Sequence, residues 1–568
     1  MKRSERFPLF GAWFAPLGLA VTLPFASLLG QENAGSVERS PESSNLEAGA
    51  ESRERRIQAN ARYAAAVSQH AKGQTEAATR ELLIAADTDP SNFALQVKVA
   101  EKLLEWRLPT LALQVLDKAS AQKDVPARLL VAKGNTHKLL GQEEPAQQAF
   151  RQALDISPGN VTARRELTTT QLKAKNVGAA LALIREGVAL PSLSGAQLAG
   201  LVGLYLQTIA TDPKTMSELK TELTSLLERT SKSELTQPGE QVVLADGFTF
   251  IGEIDRAEDL LKGVLRAASN TALAREKLVD LYLRSGRTAD AVSELNFLLE
   301  QDPKNASAHY LLGSIAADNQ EYQTAISHYR KAIELRPEFE PPYYEMVGIH
   351  LNARQPRKAL EVLSQARIRF PKRFLSEFYS GIALASLRRT KEALVHMLEA
   401  ESIATKQSPQ RLTPFFYFQL GSMLERNGKL EKAEGKFLKS LERNPEDAET
   451  LNYLGYMWAE KGKKLSQATV WIKKALELAP DSAAIQDSMG WVLFKQGDPE
   501  RALPYLLNAE AGLEEPDPVI LDHLGDAYHA LGKHREALES WKSSLELEFN
   551  ERIFEKIRRT EDSHPTSE

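Results

Sequence analysis

Residues 306–339 decide the fold and read ASAHYLLGSIAADNQEYQTAISHYRKAIELRPEF. In their second half, Ala325 and Tyr329 are four residues apart, a spacing that places both side chains on one face of a helix. Gly313 and Ala325 are small enough to let two helix backbones approach, while the Tyr329 ring fills the space that remains. Pro337 ends the second helix because proline lacks the backbone N–H of a helical hydrogen bond. The stretch therefore predicts two short helices packed against each other.

The same pattern returns every 34 residues along most of the chain. Thirteen frames of this length begin at residues 59, 93, 127, 161, 238, 272, 306, 340, 374, 414, 448, 483 and 518. Their twentieth place is alanine, shifted by one residue in the frame at 448: Ala78, Ala112, Ala146, Ala180, Ala257, Ala291, Ala325, Ala359, Ala393, Ala433, Ala468, Ala502 and Ala537. Alanine is not common enough to fill one place of every frame through composition alone. Because one helix pair cannot bury both of its faces, the repeated pairs must stack on their neighbours.

The clearest copies of the repeat are YLGY at 453–456, SMGW at 488–491 and HLGD at 523–526, each followed by a helix with alanine in phase. These copies resemble the tetratricopeptide repeat, whose unit is a 34-residue helix-turn-helix. The resemblance covers about residues 59–550. It implies an all-α fold, an α-solenoid wound as a right-handed superhelix of about 13 or 14 repeats.

The repeat frame is irregular in two places. The gap between the frames at 161 and 238 predicts a degenerate repeat, with Leu198, Leu201 and Tyr205 on its first helix. The spacing from 374 to 414 is six residues too long, which predicts a loop or an extended helix end at 406–413. The predicted segments are a signal peptide at 1–30, a flexible linker at 31–58, repeats at 59–190, a degenerate repeat at 191–237, repeats at 238–407 and 414–550, and a capping helix with a disordered tail at 551–568.

The amino terminus has the order of a secretory signal peptide. Lys2, Arg3 and Arg6 precede an uncharged stretch at 7–29, and basic residues before an apolar run are typical of such signals. Three prolines interrupt the stretch, which favours cleavage at its C-terminal end, although a retained membrane anchor stays open as an alternative. The following segment, 31–58, is rich in Glu, Ser, Gly and Ala near its start and is predicted to be a flexible linker.

Cysteine is absent from the chain. Disulfides, thiolate metal sites and lipid attachment through cysteine are therefore excluded. Gln31 stands where a bacterial lipoprotein would carry its acylated cysteine, so we predict an exported protein of the periplasm or cell envelope of a Gram-negative-type bacterium that is soluble rather than lipid-anchored.

The charge balance disfavours nucleic acid as a partner. The chain has 71 Lys and Arg against 76 Asp and Glu, a net charge of −5. Proteins that bind phosphate backbones carry an excess of positive charge that is missing here.

The sequence contains no phosphate-binding loop, no nucleophile elbow and no zinc-binding His-Glu-x-x-His helix, and we predict neither enzyme activity nor a cofactor. One group of residues allows an alternative. Asp522, Asp526 and His529 share a helix face, and Asp487 holds the equivalent place one repeat earlier. They suggest either a metal-dependent or hydrolytic site, or an acidic surface that is solvated or contacts a basic partner.

The resemblance also implies where a partner would bind. In tetratricopeptide repeats the concave face is lined mainly by the first helix of each unit, at places that include the fifth, ninth and twelfth. The corresponding partner-binding residues expected here are Tyr310, Tyr344, Phe378, Phe418, Asn452, Tyr456, Asp487, Trp491, Asp522, Asp526 and His529. Aromatic rings supply much contact area at low entropic cost. The alternative is that these rings complete the packing between adjacent first helices.

Residues 451–547 are similar to bacterial cell-envelope tetratricopeptide proteins that serve as adaptors. This resemblance implies a non-catalytic scaffold that binds one or more proteins or extended peptides in its concave groove. A membrane is expected as a partner only if the N-terminal segment is retained as an anchor, which would make the chain a membrane-anchored assembly factor.

Overall fold

The structure, a computed structural model, describes residues 44–563, with side chains from residue 51 onward except at 213 and 216. The predicted signal peptide and residues 564–568 of the predicted tail lie outside this range. The described residues form 29 α-helices and two short 3₁₀ helices, with no β-strand. The prediction of an all-α repeat fold is thereby confirmed. The helices divide into two compact units, one ending at Pro303 and the other beginning at Lys304.

The first unit contains fourteen α-helices and the 3₁₀ helix Pro213–Thr215. They are α1 Ser44–Ala71, α2 Thr75–Thr88, α3 Phe93–Glu105, α4 Pro109–Ser120, α5 Ala127–Leu139, α6 Glu143–Ile156, α7 Val161–Lys173, α8 Val177–Val188, α9 Gly195–Thr211, α10 Met216–Ser231, α11 Pro238–Ile251, α12 Ile254–Ala267, α13 Ala272–Arg284 and α14 Thr288–Gln301.

The second unit contains fifteen α-helices and the 3₁₀ helix Pro409–Arg411. They are α15 Ala306–Asp318, α16 Tyr322–Leu335, α17 Pro341–Asn352, α18 Pro356–Arg369, α19 Phe374–Ser386, α20 Thr390–Gln407, α21 Pro414–Arg426, α22 Leu430–Arg443, α23 Ala448–Glu460, α24 Leu465–Leu478, α25 Ala483–Lys495, α26 Pro499–Ala511, α27 Pro518–Ala530, α28 His534–Leu547 and α29 Glu551–Ser563.

In several repeats, the two helices of a pair approach closely where a glycine faces a large side chain. A Cβ atom built on Gly421 of α21 would lie 2.6 Å from the Phe437 ring of α22, closer than side-chain atoms approach each other. Gly490 of α25 stands in the same relation to Leu506 of α26. Ala433, the alanine at the twentieth place of its frame, is fully buried. The glycine and alanine of the repeat therefore set how closely the two helices pack, as the sequence pattern predicts.

The turn inside a repeat adopts a left-handed backbone conformation. Gly428, between α21 and α22, has a φ of 72°, and Gly497, between α25 and α26, has a φ of 85°. Glycine adopts this conformation readily because it has no Cβ atom. Arg354 and Arg388 occupy the same turn in other repeats with φ values of 54° and 60°. The pairing of the helices therefore imposes this turn even where glycine is absent.

The structure corrects the predicted linker at 31–58, because α1 begins at Ser44. Residues 51–58 are helical but exposed, and the packed part of the helix starts at the fully buried Ala59. The prediction relied on the shortage of large apolar residues, yet Ala, Glu and Arg favour helix without any burial. Only positions 31–43 of the linker remain outside the described range.

Both irregular places of the repeat frame, at 191–237 and at 406–413, are helical for most of their length. The predicted degenerate repeat contains α9 and α10, and Leu198, Leu201 and Tyr205 of α9 are buried. In the overlong frame, α20 extends to Gln407 and is followed by the 3₁₀ helix. No described helix combines the length and the apolar character needed to cross a bilayer.

Candidate partner-binding face

The first helices of successive repeats lie side by side in the second unit. These helices are α15, α17, α19, α21, α23, α25 and α27, and each touches the next through its backbone or through ring contacts. We call them the first-helix layer. The predicted partner-binding residues all belong to it. At the fifth place of the frames that begin at 340, 374, 414 and 483, the side chain contacts the following first helix.

Tyr344, Phe378 and Phe418 are buried in this layer rather than displayed on it. The Tyr344 hydroxyl donates a hydrogen bond to Glu340 Oε1 at 3.2 Å and lies 2.9 Å from Ser376 Oγ on the next first helix. The Phe418 ring is 5.5 Å from the ring of Tyr453 on α23. These three rings therefore complete the packing between neighbouring first helices, which was the alternative interpretation of the aromatic positions.

Phe378 belongs to an aromatic cluster that joins α19 to α21. Its ring stacks on Phe374 at 5.6 Å and lies 5.9 Å from Phe416 and 6.2 Å from Phe415. Phe415 is 43% exposed and is the one member of this cluster with a large open surface. Aromatic burial of this kind stabilises the junction of two repeats and leaves little ring area for a partner.

Tyr310 is only partly buried, unlike the other aromatic residues at the fifth place. Its ring contacts Phe339 edge-on at 5.0 Å and lies 5.8 Å from Tyr329. Burial, together with the negative charge of Glu345, raises the pKa of Tyr310 to about 12. Tyr310 therefore keeps its proton at neutral pH, and part of its side chain is open to solvent.

At the C-terminal end of the layer, the predicted residues form a buried polar stack. His523 Nδ1 lies 2.8 Å from Asp487 Oδ1, and both side chains are buried. The imidazole stacks on the Trp491 indole at 3.8 Å. Trp491 in turn donates a hydrogen bond from Nε1 to Glu460 Oε2 at 2.9 Å. Asp487 and Trp491 are thus engaged with the neighbouring repeats on both sides.

Tyr456 lies in the most acidic part of the layer. Its ring is 6.3 Å from the His523 imidazole. Burial raises the pKa of Tyr456, and the negative charges of Asp487 and Glu460 raise it further. The hydroxyl therefore stays protonated at neutral pH.

Asp522 and Asp526 bind a lysine of the last helix. Lys556 Nζ of α29 lies 2.7 Å from Asp522 Oδ1 and 2.6 Å from Asp526 Oδ1. Burial raises the pKa of Asp526, and Lys556 opposes this shift. One ammonium group thus pairs with both carboxylates and offsets part of their negative charge.

His529 is set apart from this ion pair. Its ring is exposed and lies 5.2 Å from His534 and 5.5 Å from Trp541. It lines a cleft of about 790 Å³ together with Asp526 and residues of α29. Between residues 44 and 563, no three His, Asp or Glu side chains are grouped closely enough to hold a metal ion.

Among the predicted residues, Asn452 has the only buried side-chain oxygen or nitrogen atom without a hydrogen-bond partner among the described residues. Its Oδ1 atom is buried and accepts no hydrogen bond from any described residue. It occupies the fifth place of α23, between Phe418 and Asp487 in the series. A buried carboxamide oxygen without a donor lowers the free energy of unfolding by about 1–3 kcal/mol, so its presence in the structure needs an explanation.

Two residues of the layer were missed by the sequence reasoning. Glu345 of α17 and Tyr379 of α19 occupy the sixth place of their 34-residue frames, directly after the fifth place that was considered. Glu345 is exposed, whereas Tyr379 is buried. The sequence does carry a signal for them, because Glu345 follows Tyr310 by 35 residues and Tyr379 follows Tyr344 by 35 residues, which is one repeat plus one position.

We expect Lys556→Met to loosen α29 from the last repeat. The two carboxylates would face each other without a cation, at a cost of about 1–3 kcal/mol. Hydrogen exchange should show faster exchange in residues 551–563. Lys542→Met is the matched control, because its ion pair with Glu561 also holds α29, in this case to α28, but is more exposed, and it should cost less than about 1 kcal/mol. Equal losses in both variants would contradict this role of Lys556.

Family models of the tetratricopeptide repeat match residues 127–160, 276–338 and 418–483. A TPR repeat-containing protein of Pseudomonas aeruginosa is 28% identical over 220 residues, covering 39% of this chain and 36% of that protein. An antiviral innate immune response effector of Macaca fascicularis is 23% identical over 269 residues, covering 42% of this chain and 52% of that protein. The matches thus span about a third and about half of the length of these relatives.

Solved structures with the same kind of repeat are more distant. The APC/C hetero-tetramer Cut9-Hcn1 aligns over 81% of this chain and 95% of that chain, at 16% identity and a TM-score of 0.40. YrrB, a TPR protein with an unusual peptide-binding site, aligns over 38% of this chain and 97% of that chain, at 19% identity and a TM-score of 0.28. The family models, together with the helix pairs and their glycine and alanine contacts, show that this chain contains tetratricopeptide repeats.

Proposed function

We propose that this protein is a non-catalytic scaffold that binds a protein or an extended peptide along the first-helix layer of residues 304–563. Tetratricopeptide repeats generally mediate protein–protein interaction. The observation that carries the proposal for this chain is the buried Oδ1 atom of Asn452, which has no hydrogen-bond donor among the described residues. A side-chain amide has one acceptor and two donors, so it matches the N–H and C=O groups of an extended backbone.

The other predicted residues divide into two groups, those already packed or bonded within the chain and those that are partly open to a partner. Tyr344, Phe378 and Phe418 are buried, and Asp487 is bonded to His523. Tyr310 and Tyr456, in contrast, are only partly buried. The proposed contacts are therefore the partly open residues Tyr310, Asn452 and Tyr456, while the buried residues hold the layer in shape.

We expect Asn452→Ala to lose binding without losing stability. The variant removes a buried oxygen that has no donor, so the free energy of unfolding should stay the same or rise. Affinity capture from cell-envelope extract, followed by mass spectrometry, should return a partner with the native protein. Capture by Asn452→Ala should fall by at least about fivefold, the loss expected for one or two hydrogen bonds.

Asn427→Ala is the matched control. Asn427 Nδ2 donates hydrogen bonds to the carbonyl oxygens of Thr390 and Met423 at 3.0 and 2.7 Å. Its loss should lower the stability by about 1 kcal/mol and leave capture unchanged. If no partner is captured reproducibly, or if Asn452→Ala captures it as well as the native protein does, the proposal is wrong.

We further propose that the scaffold acts in the bacterial cell envelope, after export through the segment at 1–30. The basic residues followed by an apolar stretch support this location. N-terminal sequencing of the protein from an envelope fraction tests it. A mature chain that starts near residue 31 supports export and cleavage, whereas an intact N-terminus in a membrane fraction would favour the retained anchor.

A further inference from the structure

Several acidic side chains of the first-helix layer are already engaged by another residue of the chain. Asp487 is bonded to His523, and Asp522 and Asp526 share the ammonium group of Lys556. Glu345 is different, because its exposed carboxylate forms no ion pair and no hydrogen bond with the residues that the structure describes. The Glu345 carboxylate thus has no counter-charge among the described residues.

The repeat register places Glu345 beside Tyr310. In three repeats, the side chain at the fifth place contacts the side chain at the sixth place of the next first helix. These contacts are Tyr344 with Tyr379, Phe418 with Tyr453, and Asp487 with His523. Because α15 and α17 pack in the same way, Tyr310 and Glu345 are the corresponding pair.

The surroundings of Glu345 disfavour its charge. The side chain reaches solvent, but the helices on either side displace much of its hydration, and this burial raises the pKa of Glu345. The negative charge of Asp318 raises it further. A carboxylate in such a place gains more from a cation than a fully solvated carboxylate does.

Tyr379 supplies a second unpartnered group at the same place. Its side chain is only 8% exposed, and its hydroxyl forms no hydrogen bond with any residue between 51 and 563. The ring is held by Tyr344 at 6.3 Å and Phe378 at 5.5 Å. Burial raises the pKa of Tyr379, and so does the charge of Glu345. The hydroxyl therefore lies within electrostatic reach of that carboxylate.

We propose that Glu345, Tyr310 and Tyr379 bind a lysine or arginine side chain of the partner peptide. The carboxylate pairs with the cation, the Tyr310 ring offers its face to the charge, and the Tyr379 hydroxyl accepts an N–H bond. Lys556, bound between two carboxylates at the other end of the layer, shows the same chemistry within the chain. This inference rests on the proposed function, since it specifies what the bound peptide must carry.

The test uses a positional-scanning library of decapeptides, with one position fixed as Lys, Arg, Leu or Glu. The full-length protein should retain the Lys and Arg pools about tenfold more than the Glu pool, the ratio expected for one charge-assisted contact. Glu345→Gln should reduce this preference to about twofold or less, and Glu345→Lys should reverse it. Glu334→Gln is the control, because it removes the same charge from an exposed site on α16.

The outcomes separate the two proposals. If no pool is retained, both the peptide-binding function and this inference are wrong. If pools are retained but the basic preference is unchanged in Glu345→Gln, only this inference is overturned. A preference that Glu334→Gln reduces as much as Glu345→Gln also overturns it, because a general charge effect would then explain the binding.

Thermal denaturation provides a second measurement. A carboxylate whose folded-state pKa is raised disfavours folding when it is ionised. This penalty is absent below the unfolded-state pKa and complete above the raised pKa of the folded state. At pH values above both, Glu345→Gln should therefore melt at the same or a higher temperature than the native protein. A lower melting temperature would mean that Glu345 supports the fold rather than a ligand.

Discussion

Phe437→Ala is expected to reduce the free energy of unfolding by about 3–5 kcal/mol. Phe437 has no exposed surface, and its ring fills the space in front of Gly421. It also lies 5.8 Å from the ring of Phe418 and 5.1 Å from that of Tyr453. The substitution would leave a cavity at the centre of one repeat and remove contacts to the next, and helices anchored at both ends cannot easily close it.

Urea denaturation followed by far-UV circular dichroism measures this loss. Hydrogen exchange should show that α21 to α24 lose protection first, because the stability of a solenoid depends on contacts between neighbouring repeats. Phe415→Ala, on the same helix as Gly421 but 43% exposed, should cost less than about 1 kcal/mol. Similar losses in both variants would contradict the packing described for this repeat.

Trp491→Ala is expected to reduce the free energy of unfolding by a similar amount, about 3–5 kcal/mol. The indole is 5% exposed, stacks on His523 at 3.8 Å and donates a hydrogen bond to Glu460. Its loss would leave the buried His523 without its stacking partner and Glu460 without a donor. The sequence predicts Trp491 as a partner contact, whereas the structure makes it a contact between repeats.

The free energy of unfolding and partner capture distinguish these roles. We expect a large stability loss for Trp491→Ala, with capture failing only at temperatures where the C-terminal repeats unfold. Lys495→Ala is the control, because the Lys495 ammonium lies 4.4 Å from the Trp491 ring centre and such a contact is worth about 0.5–1 kcal/mol. A stable Trp491→Ala variant that no longer captures the partner would restore the prediction from the sequence.

Much of the fold could be predicted because its signals are local and repeated. The alanine at the twentieth place, such as Ala433, and the glycine in the first helix, such as Gly421, are both where the register puts them and pack as expected. The start of α1 at Ser44 was missed, because a helix that is exposed along its first turns shows no apolar periodicity.

The candidate site depends more on tertiary structure. The residues at the fifth place of the frames lie in one layer, but the register does not distinguish a buried Tyr344 from a partly open Tyr310. Nor does it show that Asp522 and Asp526 pair with Lys556, since that lysine belongs to a helix outside the regular frames.

The amino-acid sequence thus specified the repeat, its length and the two faces of each helix, because these follow from spacings within a single unit. The environment of each first-helix side chain was decided by tertiary structure. That environment depends on the residue that follows about 35 positions later, across the interface to the next repeat. Stacking gave Asp487 a histidine and Asp526 a lysine, and it left Glu345 and Asn452 without partners among the described residues.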